Sequence, residues 1–126
     1  MPEEVKLNEE EGVIEVSSHG VVTKQDIADS VDIISEIKRN KGINKVLVDT
    51  REQTSMPNTI EIVELFIEKF PDNMKVAIIT SEKQPTKRDI DFAEVVAANR
   101  FFDKFKMFPS KEQALAFLNQ SPVVSI

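Results

Sequence analysis

The sequence predicts an α/β domain built on a four- or five-stranded mixed sheet with about four helices, and three observations carry that expectation. Val46-Leu47-Val48 and Val76-Ala77-Ile78-Ile79 are continuous apolar runs rich in β-branched residues, as in parallel strands covered on both faces. Around them lie stretches whose apolar residues recur at three- and four-residue spacing, the period of a helix. The two kinds of segment alternate along the chain without a repeat, low-complexity tract or Pro/Gly-rich linker. The 126 residues therefore read as one domain, with residues 1–11 an acidic N-terminal segment and 120–126 an apolar tail.

Val5 to Asn8 and Gly12 to Ser17 alternate around Glu9-Glu10-Glu11-Gly12 and read as an N-terminal hairpin. Each of the four helices after it has a polar cap residue with an acid or amide three positions on: Thr23 with Asp26, Asn58 with Glu61, Thr86 with Asp89, Ser110 with Gln113. The first places Ile27, Val31, Ile34 and Ile37 on one face and stops near Gly42, suited to the residue just past a helix end. The second is expected to bury Ile60, Val63, Phe66 and Ile67 and to end at Pro71. The third carries the narrower stripe Ile90, Ala93, Val96 and Ala97, and the last uses Ala114, Leu115 and Leu118. Phe66, Phe70, Phe92 and Phe117 fall beside these stripes, where core is the simpler role. Phe105 and Met107 alternate with Lys104 and Lys106, so that strand has one wet face and belongs at or near an edge. The expected order is β-β-α-β-α-β-α-β-α with right-handed crossovers.

Composition removes many chemistries. There is no Cys, Trp or Tyr and one His, so disulfides, thiolate nucleophiles and paired-imidazole zinc sites are excluded. Three glycines, Gly12, Gly20 and Gly42, form neither a dinucleotide fingerprint nor a phosphate-cradling loop, and no Gly-x-Ser-x-Gly elbow surrounds a serine. His19 reads as a turn residue before Gly20. Asp89, Asp91 and Glu94, beside Lys87 and Arg88, read as an ion-paired helix face and not as a metal site. No enzyme activity, cofactor or metal is expected. Of the 22 acidic and 16 basic side chains, six Glu and one Lys lie in residues 1–15, leaving a body of 16 acids and 15 bases. That body is nearly neutral and lacks the basic stripe of a nucleic-acid binder. No apolar run approaches the ~20 residues of a membrane span, and Met1-Pro2-Glu3-Glu4 has no basic leader, so no transmembrane segment and a cytoplasmic location are expected.

Ligands of parallel α/β sheets sit beyond the carboxyl ends of the strands. The most polar segment in such a place is Asp49 to Asn58, read as a loop leading into a helix start that favours an anion. Its candidates for binding a partner or anion are Asp49, Arg51, Ser55, Asn58 and, just beyond, Thr59. Arg51 can fork to a carboxylate or phosphate, and the simpler reading pairs it with Asp49 or Glu52. Asp49, Thr80 or Ser81, and Lys106 are similar to the phosphoacceptor set of a receiver domain. The turn Ser17-Ser18-His19-Gly20, however, lacks the acidic pair that would hold magnesium. Pro122-Val123-Val124-Ser125-Ile126 either docks on its own domain or supports a homodimer.

Gly20-Val21-Val22-Thr23-x-x-Asp26, Lys45-Val46-Leu47-Val48-Asp49-Thr50-Arg51, Lys75-Val76-Ala77-Ile78-Ile79, and Phe105-Lys106-Met107-Phe108 before Glu112-x-Ala114-Leu115-x-Phe117-Leu118 succeed one another in order. The series, spanning about residues 12 to 118, resembles the STAS-domain superfamily and within it the bacterial SpoIIAA-like branch, also described as STAS/SEC14-like. The resemblance implies a mixed sheet with helices, no chemistry of its own, and a role in binding a protein partner, in signalling, or in binding a lipid or other apolar ligand. Phosphorylatable relatives carry Asp-Ser-Ser-Gly at the second helix start. Here that tetrad falls on Pro57-Asn58-Thr59-Ile60, so Thr59 is the one phosphorylation candidate in register and Ser55 lies nearby out of register. For an apolar ligand the lining candidates are Phe66, Phe92, Phe101 and Phe102.

Overall fold

The structure, a computed structural model, describes residues 2–71, 73–98 and 105–120. The chain runs β1 (Glu3–Asn8), β2 (Val13–Val21), α1 (Lys24–Lys41), β3 (Lys45–Ser55), α2 (Thr59–Lys69), β4 (Lys75–Ile79), α3 (Lys87–Ala98), β5 (Phe105–Phe108), α4 (Lys111–Leu118). The strands lie side by side in sequence order, β1 antiparallel to β2 and every later neighbour parallel. Three crossovers stepping in one direction across a sheet all return over the same face. Ile34 of α1, Phe70 at the end of α2 and Ile90 of α3 accordingly pack with Ile14, Val46 and Val76. The opposite face is covered by α4, whose Ala114 and Leu118 pack on Val13, Leu47, Ala77 and Ile79. Adjacent residues such as Val46 and Leu47 serve opposite faces, the two-residue period of a strand buried on both sides.

The expected edge position of Phe105–Phe108 is found in β5. Thr23 and Asp26 form the reciprocal capping box, and Gly42 closes α1 at φ 71°, a backbone conformation that glycine adopts without strain. Asn58 caps α2 by accepting from the Ile60 N–H, and Ser110 caps α4 by accepting from Gln113. Thr86 departs from expectation: its hydroxyl is drawn into a buried side-chain network, and only its carbonyl accepts a helix N–H, from Ile90.

Two strands are longer than their apolar runs. β2 continues through Ser17-Ser18-His19-Gly20, so His19 is a strand residue opposite Glu52 and not a turn histidine. β3 continues to Ser55, so Asp49 to Ser55 is strand and not loop. Beyond Asp49, β3 pairs only with β2, because β4 ends opposite it at Ile79. In this two-stranded extension Arg51, Glu52, Thr54 and Ser55 are exposed and the buried Thr50 and Gln53 are themselves polar, which hides it from an apolar-run criterion.

The predicted stripe of α2 is also rotated. Ile62, Val63 and Leu65 are buried while Ile60 and Ile67 face outward. α2 packs between α1 and α3, so its inner surface is set by two helices as well as the sheet. Phe92, placed in the core by its spacing, is exposed on α3. Phe101, Phe102 and the apolar tail 121–126 lie outside the described residues. Among the described residues no helix is long and apolar enough to cross a membrane.

Candidate functional site

The carboxyl ends of β2, β3 and β4 are joined by a chain of buried polar side chains. Gln84, in the turn after β4, donates through Nε2 to the Thr50 carbonyl and hydroxyl, both at 3.1 Å, and to Thr86 Oγ1 at 2.9 Å. Thr86 donates to Gln53 Oε1 at 3.1 Å, and Gln53 Nε2 donates to Ser18 Oγ at 2.7 Å. Ser18 lies opposite Glu3 of β1 and bonds to its carboxyl, which also accepts from Ser30 of α1 at 2.8 Å. Thr50 closes the other end by donating to the Ile79 carbonyl at 2.9 Å. Among the described residues every buried side-chain polar atom has a partner.

A β-bulge makes this chain possible. Between the pairs Ser17–Asp49 and His19–Glu52, one β2 residue stands opposite two of β3. The extra residue reverses the facing of the later part of the strand, so Thr50 and Gln53, three apart, both turn toward the helices. Gly20 sits at a second shift with φ 68°.

Glu3 is 7% exposed. Burial pushes its carboxyl pKa above the ordinary glutamate value, while the Ser30 and Ser18 hydroxyls pull it down and Asp26 nearby adds to the rise. Below it a cavity of about 110 Å³ runs along the strands between the sheet and α1–α3. Its polar lining is Glu3, Ser30, Thr50 and Gln53, at the carboxyl end of the parallel strands. Phe66, Phe70, Met74 and Phe105 line its other end. Of the four phenylalanines expected around an apolar ligand, Phe66 lines the cavity. Phe92 does not, being turned outward. Phe70 and Phe105 take part instead, and Phe66 holds them with ring centroids 5.3 and 6.2 Å away.

The residues singled out between Asp49 and Thr59 are not gathered into one site, although Asp49 and Arg51 pair with each other. Asp49 shares the α4 face of the sheet with Leu47. Arg51 forks onto its carboxylate, Nε to Oδ1 at 3.0 Å and Nη2 to Oδ2 at 2.8 Å, and adds its backbone N–H at 3.1 Å. Partial burial raises the Asp49 pKa, but the Arg51 hydrogen bonds and charge outweigh it and hold the carboxyl below the ordinary aspartate range. The guanidinium is held above its own ordinary value by the same pairing. An anion would have to displace that carboxylate. On the same face Lys111 reaches Glu15 at 3.3 Å.

Thr59 stands on the other side of the sheet. It opens α2 and donates to the Asp89 carbonyl of α3 at 3.3 Å. Asn58 spends its side-chain oxygen on the cap, and Ser55 ends β3 exposed, its carbonyl accepting from Val22. Beyond Thr59 the outer surfaces of α2 and α3 carry Ile60 (55% exposed), Ile67 (41%), Phe92 (53%) and Val95 (60%). Residues 60 and 67 are two helical turns apart, and 92 and 95 one turn apart, so each pair shares a face of its helix.

No family model and no curated protein matches this sequence. Solved structures do. An uncharacterised DUF3478-family protein with a SpoIIAA-like fold from Shewanella loihica PV-4 is 20% identical, with a TM-score of 0.60 over 92% of this chain and 91% of that one. An anti-sigma factor antagonist from Mycobacterium paratuberculosis is 14% identical, with a TM-score of 0.64 over 94% and 93%. SpoIIAA in its unphosphorylated form is 11% identical, with a TM-score of 0.58 over 90% and 94%. The expected SpoIIAA-like α/β fold is therefore the observed one, with five strands in the mixed sheet and four helices among the described residues.

Proposed function

We propose that this SpoIIAA-like domain is a non-enzymatic regulatory module of the cytoplasm that binds a protein partner through the outer faces of α2 and α3. The observation that carries this reading is the exposure of Ile60, Ile67, Phe92 and Val95 on two helices packed against each other. Isolated exposed apolar residues need no explanation, whereas four on adjacent helices are the usual core of a contact patch. The similar structures named as anti-sigma factor antagonists, proteins defined by acting on another protein, support the same direction. Thr59 and Asn58 border the patch, so a phosphate on Thr59 would place charge at its rim. Arg51 and Asp49 neutralise each other across the sheet and are left out of the surface.

The test is affinity capture from the source cells with wild type, Ile60→Asp and Phe92→Asp. Both sites are exposed, so each variant should keep its unfolding midpoint while losing a protein that wild type retains. An unchanged set of captured proteins from both correctly folded variants refutes the reading.

A further inference from the structure

The cavity has a size and a chemical polarity that together define an occupant. At about 110 Å³ it is far below the few hundred Å³ of a site for an acyl chain or drug-sized ligand. It is about three-quarters of the ~150 Å³ of an apolar cavity that takes up benzene, which leaves room for about four to five non-hydrogen atoms. Its polar end is dominated by acceptors. A carboxylate offers about four lone-pair sites, and Ser30 and Ser18 occupy two of those on Glu3. The Ser30 proton is spent on Glu3 and the Thr50 proton on the Ile79 carbonyl, so both hydroxyls can only accept further. The second N–H of Gln53 is the one donor left on the polar lining, and an acceptor reaching it would stand beside the Glu3 carboxylate.

We propose that this cavity binds a small molecule with a compact aliphatic body of about four carbons and one hydrogen-bond-donating head, an alcohol or an amine, directed at Glu3 and Ser30. The donor occupies lone pairs that burial has removed from water. An anionic head meets the Glu3 charge at short range and is rejected.

Three probes with one carbon skeleton separate body from head: 2-methylpropan-1-ol, 2-methylpropylamine and 2-methylpropanoate, titrated at pH 8 while amide resonances around the cavity, Ser30 and Ala93 among them, are followed by NMR. The alcohol and amine should bind at least tenfold more tightly than the carboxylate. Ala93→Val, which adds two methyl groups at the lining, should weaken both by tenfold or more. Glu3→Gln, which removes the charge and adds a donor, should bring alcohol and carboxylate within about threefold of each other. Should Ala93→Val not fold, the Glu3→Gln arm stands alone, since it leaves the cavity volume in place. Equal binding of alcohol and carboxylate by wild type overturns the proposal, as does the absence of any shift with alcohol and amine at millimolar concentration, or discrimination that survives Glu3→Gln.

Discussion

Thr86→Val keeps the shape of the side chain and removes the hydroxyl at the centre of the strand-end network. Thr86 is 2% exposed, so water cannot replace what is lost. Its hydroxyl is the donor to Gln53 Oε1, which would remain buried without one, whereas Gln84 Nε2 keeps the Thr50 carbonyl and hydroxyl. One unpaired buried acceptor costs about 1–3 kcal/mol. Unfolding entropy near 2.1 cal/mol/K per residue makes 1 kcal/mol worth about 4 °C for a chain of this length, so a loss of about 2 kcal/mol lowers Tm by about 8 °C. Urea unfolding should show a lower midpoint at unchanged slope. A cycle with Gln53→Met separates this pair from its surroundings. The double variant leaves neither an orphaned carbonyl nor an orphaned hydroxyl between them, so it should cost about 1 kcal/mol less than the sum of the singles. Thr54→Val, on the exposed part of the same strand, should stay within about 0.5 kcal/mol of wild type. A Thr86→Val loss below about 0.5 kcal/mol, or additive singles, would refute the claim that the network holds the strand ends together.

Gly42→Ala places a Cβ in open space but at φ 71°, so its cost is conformational only, about 1–2 kcal/mol, seen as a Tm drop without loss of helix signal before melting. Glu3 holds its proton more tightly when folded than unfolded. Its contribution to stability is thus full below the ordinary glutamate value of 4.5 and is lost as pH rises through the folded value. Glu3→Gln should therefore gain on wild type in Tm as pH rises from 4 to 8, and a constant difference across that range would contradict the assignment. Asp49 has the opposite sign: its pairing with Arg51 contributes above the ordinary aspartate range and is lost as pH falls through the lowered folded value. With side chains 35% and 42% exposed, Asp49→Asn should cost less than about 1 kcal/mol at neutral pH and nothing in strong acid, as read by denaturant unfolding.

The elements legible in the sequence were those whose burial is symmetric or whose ends carry their own chemistry. Val46–Val48 and Val76–Ile79 are apolar on both faces because helices cover both, and the caps at Thr23, Asn58 and Ser110 act within a few residues of chain. The features that could not be read depend on distant partners. The polar half of β3 is a strand because β2 lies beside it, and the outward turn of Ile60 results from α2 having a helix on either flank. Glu3, Ser18, Gln53 and Gln84 gave no local sign of forming one buried chain, since they come from four separate segments joined across a bulge. The one hint was the recurrence of Gln, Ser and Thr at the carboxyl ends of strands, and the charged Asp49, Arg51, Glu52, Glu82 and Lys83 interspersed there gave those segments the look of solvated loops.

The proposed partner surface and the cavity share α2 and α3, which governs how they can be tested apart. Ile62 and Phe66 of α2 and Ile90 and Ala93 of α3 line the cavity, while Ile60, Ile67, Phe92 and Val95 lie on the outer faces. Any substitution that enlarges a lining residue on α2 or α3 also shifts the surface behind it, so loss of partner capture in such a variant would not identify which role was disturbed. Glu3 escapes this coupling because it enters the cavity from β1 and hydrogen-bonds to β2 and α1. Glu3→Gln should alter the preference among ligand heads while leaving partner capture as in wild type, and Ile60→Asp should do the reverse. If both variants lose both properties with their folds intact, the two helices form one functional surface, and neither reading stands as a separate site.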